Sequence, residues 1–170
     1  NLLVYEDPRD KEYFQHFSKQ TVKALEKLGF TLCTGGVMAS NESWRSTLEE
    51  WKKRLREMVF KEEELVKLII LMDAKYVSGD PDLASQFIHE VHKLPRLNLG
   101  LIREMADVAT KMPIALTLFQ GFKLERRAGR HKGQFNAKLQ GWMPLVMLVM
   151  VYALKYGIRE TNTVRRIQVL

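Results

Sequence analysis

Cys33-Thr-Gly-Gly-Val-Met-Ala-Ser-Asn-Glu-Ser-Trp-Arg45 is the stretch of this chain on which the fold assignment depends. It places two adjacent glycines, Gly35 and Gly36, between a short apolar segment and Asn41, a residue type common at helix N-caps. Paired glycines before a capped helix let backbone N–H groups approach an anionic ligand closely. The loop could therefore hold a phosphate, or it could form an ordinary turn, since glycine pairs occur in both.

The residues on either side of this loop predict strand, helix, strand and helix. Leu2–Tyr5 is predicted to be a strand, and Phe30–Cys33 a second one. Between them, Asp10 is expected to cap a helix that Gly29 ends, with one apolar face made of Phe14, Phe17, Thr21, Ala24, Leu25 and Leu28. After the loop, Asn41 is expected to cap a helix with a periodic apolar row of Trp44, Leu48, Trp51, Leu55 and Met58.

The rest of the chain predicts a helical bundle. Glu62–Val77 is expected to form a helix that buries Leu65, Leu68, Ile69, Met72 and Tyr76. Pro81 opens the next helix, Pro95 marks its break, and an amphipathic helix from Leu101 ends before Pro113. Residues 128–141 are interpreted as an exposed loop or a short hairpin. A buried helix over Met143–Tyr156, closed by Gly157, and a last helix capped by Thr161 or Asn162 complete the prediction.

Composition places the chain among ordinary globular proteins. It has 170 residues, 46% of them apolar and 28% charged, with a net charge of +7. This charge favours anionic partners in general, but the basic residues are spread over most of the chain. We interpret the single cysteine, Cys33, as a buried strand residue in a reducing compartment, because no histidine lies near it in sequence to make it a nucleophile. The longest apolar run, thirteen residues from Trp142 to Leu154, is shorter than a bilayer requires, so no membrane partner is expected.

The quoted stretch, together with Tyr76, Gly79 and Asp80 further on, resembles a nucleotidyltransferase family often found beside CBS and cyclic-nucleotide-binding modules. That family is similar to PII-protein uridylyltransferases and glutamine synthetase adenylyltransferases. The resemblance extends in order from Asn1–Tyr5 to Tyr156-Gly-Ile158 and Asn162-Thr163. It implies an α+β, mostly α fold, with residues 1–60 ending a nucleotidyltransferase domain of the polymerase-beta type and residues 61–170 forming a helical substrate-binding domain.

The resemblance also implies where the chemistry lies. In the family, a strand with a Gly-Ser turn and an Asp-x-Asp pair precedes the counterpart of Leu2, and its carboxylates hold the Mg²⁺ ions that bridge the phosphates of an NTP. We therefore expect this chain to be a fragment that contains no catalytic residue and no metal ligand. Its candidate substrate- or nucleotide-binding residues are Gly35, Gly36, Asn41, Arg45, Asp80 and Lys138.

Two departures from the family pattern bear on activity. Asn136 and Met147 stand where family members tend to have acids, whereas Lys138 is retained and could contact an anionic group or remain a solvated surface charge. Asp80 likewise could cap the helix that Pro81 opens, with or without a ligand role.

Three functions follow as hypotheses. The first is a fragment of a cytoplasmic enzyme that transfers a nucleotide from an NTP to a protein, such as a PII-like acceptor, or to a small acceptor in signalling. The second is a catalytically inactive module that binds a nucleotide or a protein for regulation. The third, a nucleic-acid binder, rests on charge alone and has no recognised docking motif.

Overall fold

The computed structural model describes residues 1–114, 124 and 133–170. Within these residues the protein is mostly helical and contains one sheet of two parallel strands, β1 (Leu3–Tyr5) and β2 (Arg45–Thr47). The predicted class, α+β and mostly α, is confirmed. The described residues divide into two compact units: residues 1–60 with 75–91, and residues 61–74 with 92–170.

The helices of the described residues are seven α-helices and four short non-α turns. The α-helices are α1 (Lys11–Lys27), α2 (Leu48–Met58), α3 (Leu65–Leu71), α4 (Pro81–Leu97), α5 (Leu101–Lys111), α6 (Met143–Lys155) and α7 (Thr163–Val169). The 3-10 turns are Pro8–Asp10, Glu42–Trp44 and Glu62–Glu64, and Ala137–Trp142 is π-helical.

The first unit is organised around the small sheet and helix α2. Leu3 pairs with Arg45 and Tyr5 with Thr47 in parallel register. Trp51 of α2 is almost fully buried, donates its indole N–H to the carbonyl of Leu3 at 3.3 Å, and meets Phe87 of α4 edge to face. Trp44, another residue of the predicted apolar row, is buried as well.

The predicted second strand was wrong. Residues Phe30–Cys33 belong to no strand, and the strand beside β1 is Arg45–Thr47, whose three residues are all buried. Phe30 is 65% exposed and Leu32 49% exposed, so this apolar segment is not inside the described core.

The predicted start of the helix after the loop was also wrong. Asn41 caps only the 3-10 turn Glu42–Trp44, and α2 begins after β2, at Leu48. From Leu48 onward the predicted periodicity is confirmed, because Leu48, Trp51, Leu55 and Met58 are all buried. Trp44 is buried as well, but it precedes the helix.

Helix α1 forms where it was predicted, and its apolar face is mostly exposed. Ser18 is its one buried residue, whereas Phe17 is 44% exposed and Leu28, at its end, is 76% exposed. The apolar periodicity correctly identified a helix, but it did not show whether another element covers that face.

The second unit is built from packed helices. Helix α6 lies against α5 and α7, and α3 lies against α5. The fully buried side chains of this unit include Leu68, Leu71, Met72, Leu94, Leu101, Met105 and Met150. Helix α6 ends as predicted: Gly157 takes a left-handed φ of +72°, and the N–H of Ile158 donates to the carbonyl of Ala153 at 2.8 Å.

Three further boundaries differ from the prediction, and one agrees with it. Helix α3 ends at Leu71, so Tyr76 lies outside it and is 47% exposed. Pro95 lies within the last turn of α4 and does not end it. Of the predicted loop or hairpin at residues 128–141, the part to 132 lies outside the described residues, and Ala137–Trp142 is helical. The last helix starts as expected at Asn162, whose side chain accepts from the N–H of Arg165.

Helix α6 continues the π-helical turn, which makes a longer apolar helix than the sequence predicted. Ala137–Lys155 is nineteen residues long and, by length and composition alone, could cross a membrane. A core helix of a soluble protein passes the same test, and this helix buries Pro144, Met147, Met150, Val151 and Leu154 in the second unit.

Candidate functional site

The Gly-Gly loop is a tight turn held by its own backbone. The N–H of Gly36 donates to the carbonyl of Cys33 at 2.9 Å, and the N–H of Met38 donates to the carbonyl of Gly36 at 2.8 Å. Gly36 has a left-handed φ of +68°, a conformation that side chains with a Cβ rarely adopt. The glycine at this position is therefore required by the turn itself.

Asn41 fixes the shape of this loop with both ends of its amide. Its Nδ2 donates to the carbonyl of Gly36 at 3.2 Å, and its Oδ1 accepts from the N–H of Ser43 at 3.0 Å. A Cβ added at Gly36 would lie 3.3 Å from Nδ2 of Asn41. The side chain of Asn1 adds a second support, because its Oδ1 accepts from the N–H of Ala39 at 2.7 Å.

Arg45 joins the loop to helix α1 from inside the unit. Its side chain is buried, and Nη1 donates to the carbonyl of Ala39 at 2.6 Å and to the hydroxyl of Ser18 at 3.0 Å. Because β2 holds the backbone of Arg45 beside β1, the guanidinium reaches the loop from a fixed position. Gly36, Asn41 and Arg45 are thus brought together in one hydrogen-bonded arrangement.

Cys33 lies at the centre of the loop, and its predicted burial was wrong. The thiol is exposed. Backbone N–H groups of Val37 and Gly35, with a smaller contribution from Gly36, are directed at its sulfur and lower the pKa of Cys33. Backbone N–H groups of the loop therefore favour a negative charge on Cys33.

A polar cluster at the carboxyl ends of β1 and β2 was not predicted. The carboxylate of Glu50 accepts from the hydroxyl of Ser46 at 2.5 Å and from the N–H of Thr47 at 3.1 Å, while the hydroxyl of Thr47 accepts from the N–H of Glu50. This reciprocal pair is a capping box, and the Thr-x-x-Glu spacing in the sequence could have revealed it. The bonds from Ser46 and Thr47 lower the pKa of Glu50.

Two further residues complete this cluster. Arg54 donates to the carbonyl of Ser43 at 2.9 Å and lies over the ring of Trp51 at 4.8 Å. The Tyr5 hydroxyl is in the same region: burial, and after it the charge of Glu50, raises the pKa of Tyr5. The cluster is thus an arrangement of charged and hydroxyl groups at the edge where parallel sheets commonly bind ligands.

Asp80 lies in the first unit at the start of α4. Its Oδ1 accepts from the N–H groups of Asp82 at 2.8 Å and Leu83 at 3.2 Å, so it serves as the helix cap. The hydroxyl of Tyr76 donates to the carbonyl of Gly79 at 2.7 Å, which holds the preceding turn. The motif Tyr-x-x-Gly-Asp therefore has a local structural role in closing this turn.

Lys138 belongs to the second unit. It is exposed on the π-helical turn that Asn136 begins by accepting from the N–H of Leu139 at 3.0 Å. Met147, at the other position that departs from the family pattern, is buried on the inner side of α6. Neither Asn136 nor Met147 supplies a carboxylate to the surface around Lys138.

The described residues contain no group of three or more His, Cys, Asp or Glu side chains that could hold a metal ion. The strand beside β1 carries Arg45, Ser46 and Thr47, none of which is acidic. β2 therefore brings no carboxylate to the sheet.

An ion pair between a buried arginine and an exposed aspartate in the second unit was not predicted either. Arg166 of α7 is fully buried, and its Nη2 donates to Asp73 at 2.6 Å while its Nε donates to the carbonyl of Glu160. Its Nη1 has no hydrogen-bond partner within the part of the chain described here. A contact across 93 positions cannot be read from local sequence patterns.

Comparison with known proteins gives two matches, one at each end of the chain. A family model described as "Putative nucleotidyltransferase DUF294" matches residues 1–64, and one described as "Putative nucleotidyltransferase substrate binding domain" matches residues 100–170. No curated protein and no solved structure gives a significant match.

Proposed function

The chain belongs to the DUF294 nucleotidyltransferase family, whose two domain models match its two ends, and we propose that it serves the transfer of a nucleotide from an NTP to an acceptor in the cytoplasm. The observation that carries this proposal is the order of the two matches, with the substrate-binding model following the nucleotidyltransferase model. We propose a protein of the PII type as the acceptor, with a small molecule as the alternative.

In this proposal the first unit supplies the rigid frame and part of the nucleotide contact. Nucleotidyl transfer depends mainly on positioning and on neutralising the phosphates, so a loop with fixed backbone N–H groups is useful only if it stays in place. Asn41 and Arg45 provide that fixation through their bonds to Gly36 and Ala39. We propose that Asn41 and Arg45 position the loop, and that Gly35, rather than these two residues, contacts the nucleotide directly.

In the second unit, exposed Lys138 is the candidate contact for an anionic group of the substrate. The family's Mg²⁺ would neutralise the phosphates of the NTP, and the described residues contain no group of three or more His, Cys, Asp or Glu side chains to hold it. We therefore expect the 170 residues alone to leave an acceptor unlabelled and to bind nucleotide weakly.

The test is covalent labelling. The natural protein and the 170-residue chain are each incubated with labelled ATP or UTP, magnesium and a PII-like protein. Label on the acceptor with the natural protein, but not with the chain, supports the proposal. A Lys138→Ala variant of the natural protein should label less, whereas Lys111→Ala, which removes an exposed lysine of α5, should label normally.

A second candidate function is favoured by specific residues. Asn136 and Met147 replace acids of the family pattern, and Met147 is buried. These substitutions favour a module that has the family's fold but does not transfer a nucleotide. If the natural protein neither labels an acceptor nor binds a nucleotide in a calorimetric titration, the transfer proposal fails and the regulatory binding module replaces it.

A further inference from the structure

Helix α6 is apolar on two opposite sides, and the second unit buries one of them. Met147, Met150 and Leu154 are buried on the side that packs in the unit with α5 and α7. Residues two or five positions away from an inner residue point to the opposite side of the helix. A helix that is apolar all round is normally buried all round, so the outer side of α6 needs an explanation.

The outer side carries a row of large exposed side chains, which we call the outer stripe: Trp142, Leu145, Tyr152 and Tyr156. Their exposed fractions are 51%, 65%, 53% and 65%. Half-buried Val149 completes the spacing of three and four between them. From Trp142 to Tyr156 the stripe is about 21 Å long. Isolated exposed apolar residues are normal, but a continuous row rich in aromatics is typical of an interaction surface.

Two lysines mark the ends of the outer stripe. Lys138 lies one turn before Trp142, and Lys155 lies one turn after Tyr152, with its Nζ 5.5 Å from the ring centre of Tyr156. Residues 137–156 contain no acidic residue. The surface therefore presents a row of apolar side chains with a lysine near each end.

This charge pattern excludes self-pairing as the favoured arrangement. If two copies of α6 met in parallel, Lys138 would face Lys138 and Lys155 would face Lys155. If they met antiparallel, Lys138 would face Lys155, so both arrangements place like charges together. A membrane is also disfavoured, because helices that lie on lipid carry many basic residues on the side opposite the apolar one, whereas that side of α6 is buried.

We propose that the outer stripe of α6 is a docking surface for an amphipathic helix of a protein partner, with an apolar row and acidic residues at both ends. Such a helix would pack along Trp142, Leu145 and Tyr152 in the manner of one helix laid against another, and its acids would pair with Lys138 and Lys155. This inference concerns protein binding and shares Lys138 with the proposed contact for an anionic group of the substrate. The peptide titrations below contain no nucleotide, so they test docking separately from nucleotidyl transfer.

The fluorescence of Trp142 reports occupancy directly. Trp44 and Trp51 are buried at 4% and 1% exposure, so quenching by acrylamide acts mainly on Trp142. The probe is a synthetic amphipathic helical peptide of about five turns, with a leucine row and glutamates at both ends. A matched peptide carries lysines in place of the glutamates. The acidic peptide should protect Trp142 from quenching with a Kd about tenfold lower than that of the basic peptide.

Two variants test the surface. The charge-reversed chain K138E/K155E should prefer the basic peptide. Tyr152→Ser should weaken binding of the acidic peptide about tenfold, whereas Val66→Ser, at a 64% exposed position of α3, should leave it unchanged. Exposed side chains contribute little to folding, so an unchanged helical circular dichroism spectrum and Tm confirm that each variant is folded.

Three results would overturn the proposal. Equal binding of both peptides would show nonspecific adhesion to an apolar surface. A dimer in sedimentation equilibrium that Tyr152→Ser abolishes would assign the stripe to a second copy. Co-sedimentation with phosphatidylcholine and phosphatidylserine vesicles that Tyr152→Ser abolishes would assign it to a membrane.

Discussion

Two adjacent glycines in the loop have different structural requirements, although the sequence makes them look alike. Gly36 has φ +68° and would place a Cβ 3.3 Å from Asn41, whereas Gly35 has no positive φ and its Cβ would meet only Cys33 Sγ at 3.8 Å. Gly36→Ala should therefore destabilise the protein by about 1–3 kcal/mol. Gly35→Ala is the control and should change stability by less than about 0.5 kcal/mol. Urea unfolding followed by circular dichroism measures both, and equal losses would contradict this assignment.

The reactivity of Cys33 tests whether the loop's N–H groups are oriented as described. Donors from Val37 and Gly35 stabilise the thiolate and lower the pKa of Cys33, so alkylation by iodoacetamide should rise at a lower pH in the folded chain than in the urea-unfolded chain. As Cys33 is the one cysteine of the sequence, the label is specific. If the pH profiles of alkylation coincide for the folded and the unfolded chain, the N–H groups of the loop are not oriented toward Cys33. Protection by ATP would place the nucleotide against this loop.

At the scale of elements, the sequence predicted the helices well, but it did not predict which segments pack or pair with one another. The periodic row from Leu48 to Met58 identified α2 because apolar residues at this spacing indicate a helix with one apolar face. Phe30–Cys33 and Arg45–Thr47 are both short, and only the second pairs with β1. A strand as short as β2 has no periodicity to detect, and its pairing depends on contacts with residues far away in the sequence.

The capping box of α2 gives a pH dependence with a definite sign. Hydrogen bonds from Ser46 and Thr47 lower the pKa of Glu50 in the folded chain. The contribution of Glu50 to the free energy of unfolding is therefore complete above the pKa that Glu50 has in the unfolded chain. That contribution is lost as the pH falls through the lower pKa of Glu50 in the folded chain. Glu50→Gln should therefore reduce stability at neutral pH and flatten its decline under acid. Glu57→Gln, an exposed position of the same helix, should keep the wild-type curve. Urea unfolding at a series of acidic pH values compares the three chains, and parallel curves would exclude this role for Glu50.

At the scale of the molecule, the sequence indicated the family, and the two compact units of the fold are discontinuous in sequence. Residues 61–74 belong to the same compact unit as residues 92–170, and α4 begins in the other unit. The predicted boundary at residue 60 marks where the tryptophan helix ends and the helical bundle begins, and such a local feature does not show contacts between distant residues. Of the candidate site, the motif order predicted the loop, whereas the bonds that fix it, from Asn41 and Arg45, required the fold.

The ion pair between Asp73 and Arg166 tests that discontinuous division. Arg166 is fully buried and Asp73 is 40% exposed, so removing Asp73 leaves a buried guanidinium with one partner fewer. We expect Asp73→Ala to cost about 1–3 kcal/mol, toward the lower end because water still reaches the carboxylate. The control is Arg165→Ala: Arg165 is 73% exposed and lies 3.9 Å from Glu160, which predicts a change of less than about 0.5 kcal/mol.

A double variant separates loss of the pair from loss of packing. Arg166→Met replaces the buried charge with an apolar side chain, and in that background Asp73→Ala should cost almost nothing, because no charge is left without a partner. Urea unfolding of the four chains of this cycle gives the interaction free energy. If Asp73→Ala costs as much in the Arg166→Met background as in the wild-type chain, the pair contributes no interaction free energy between residues 61–74 and α7.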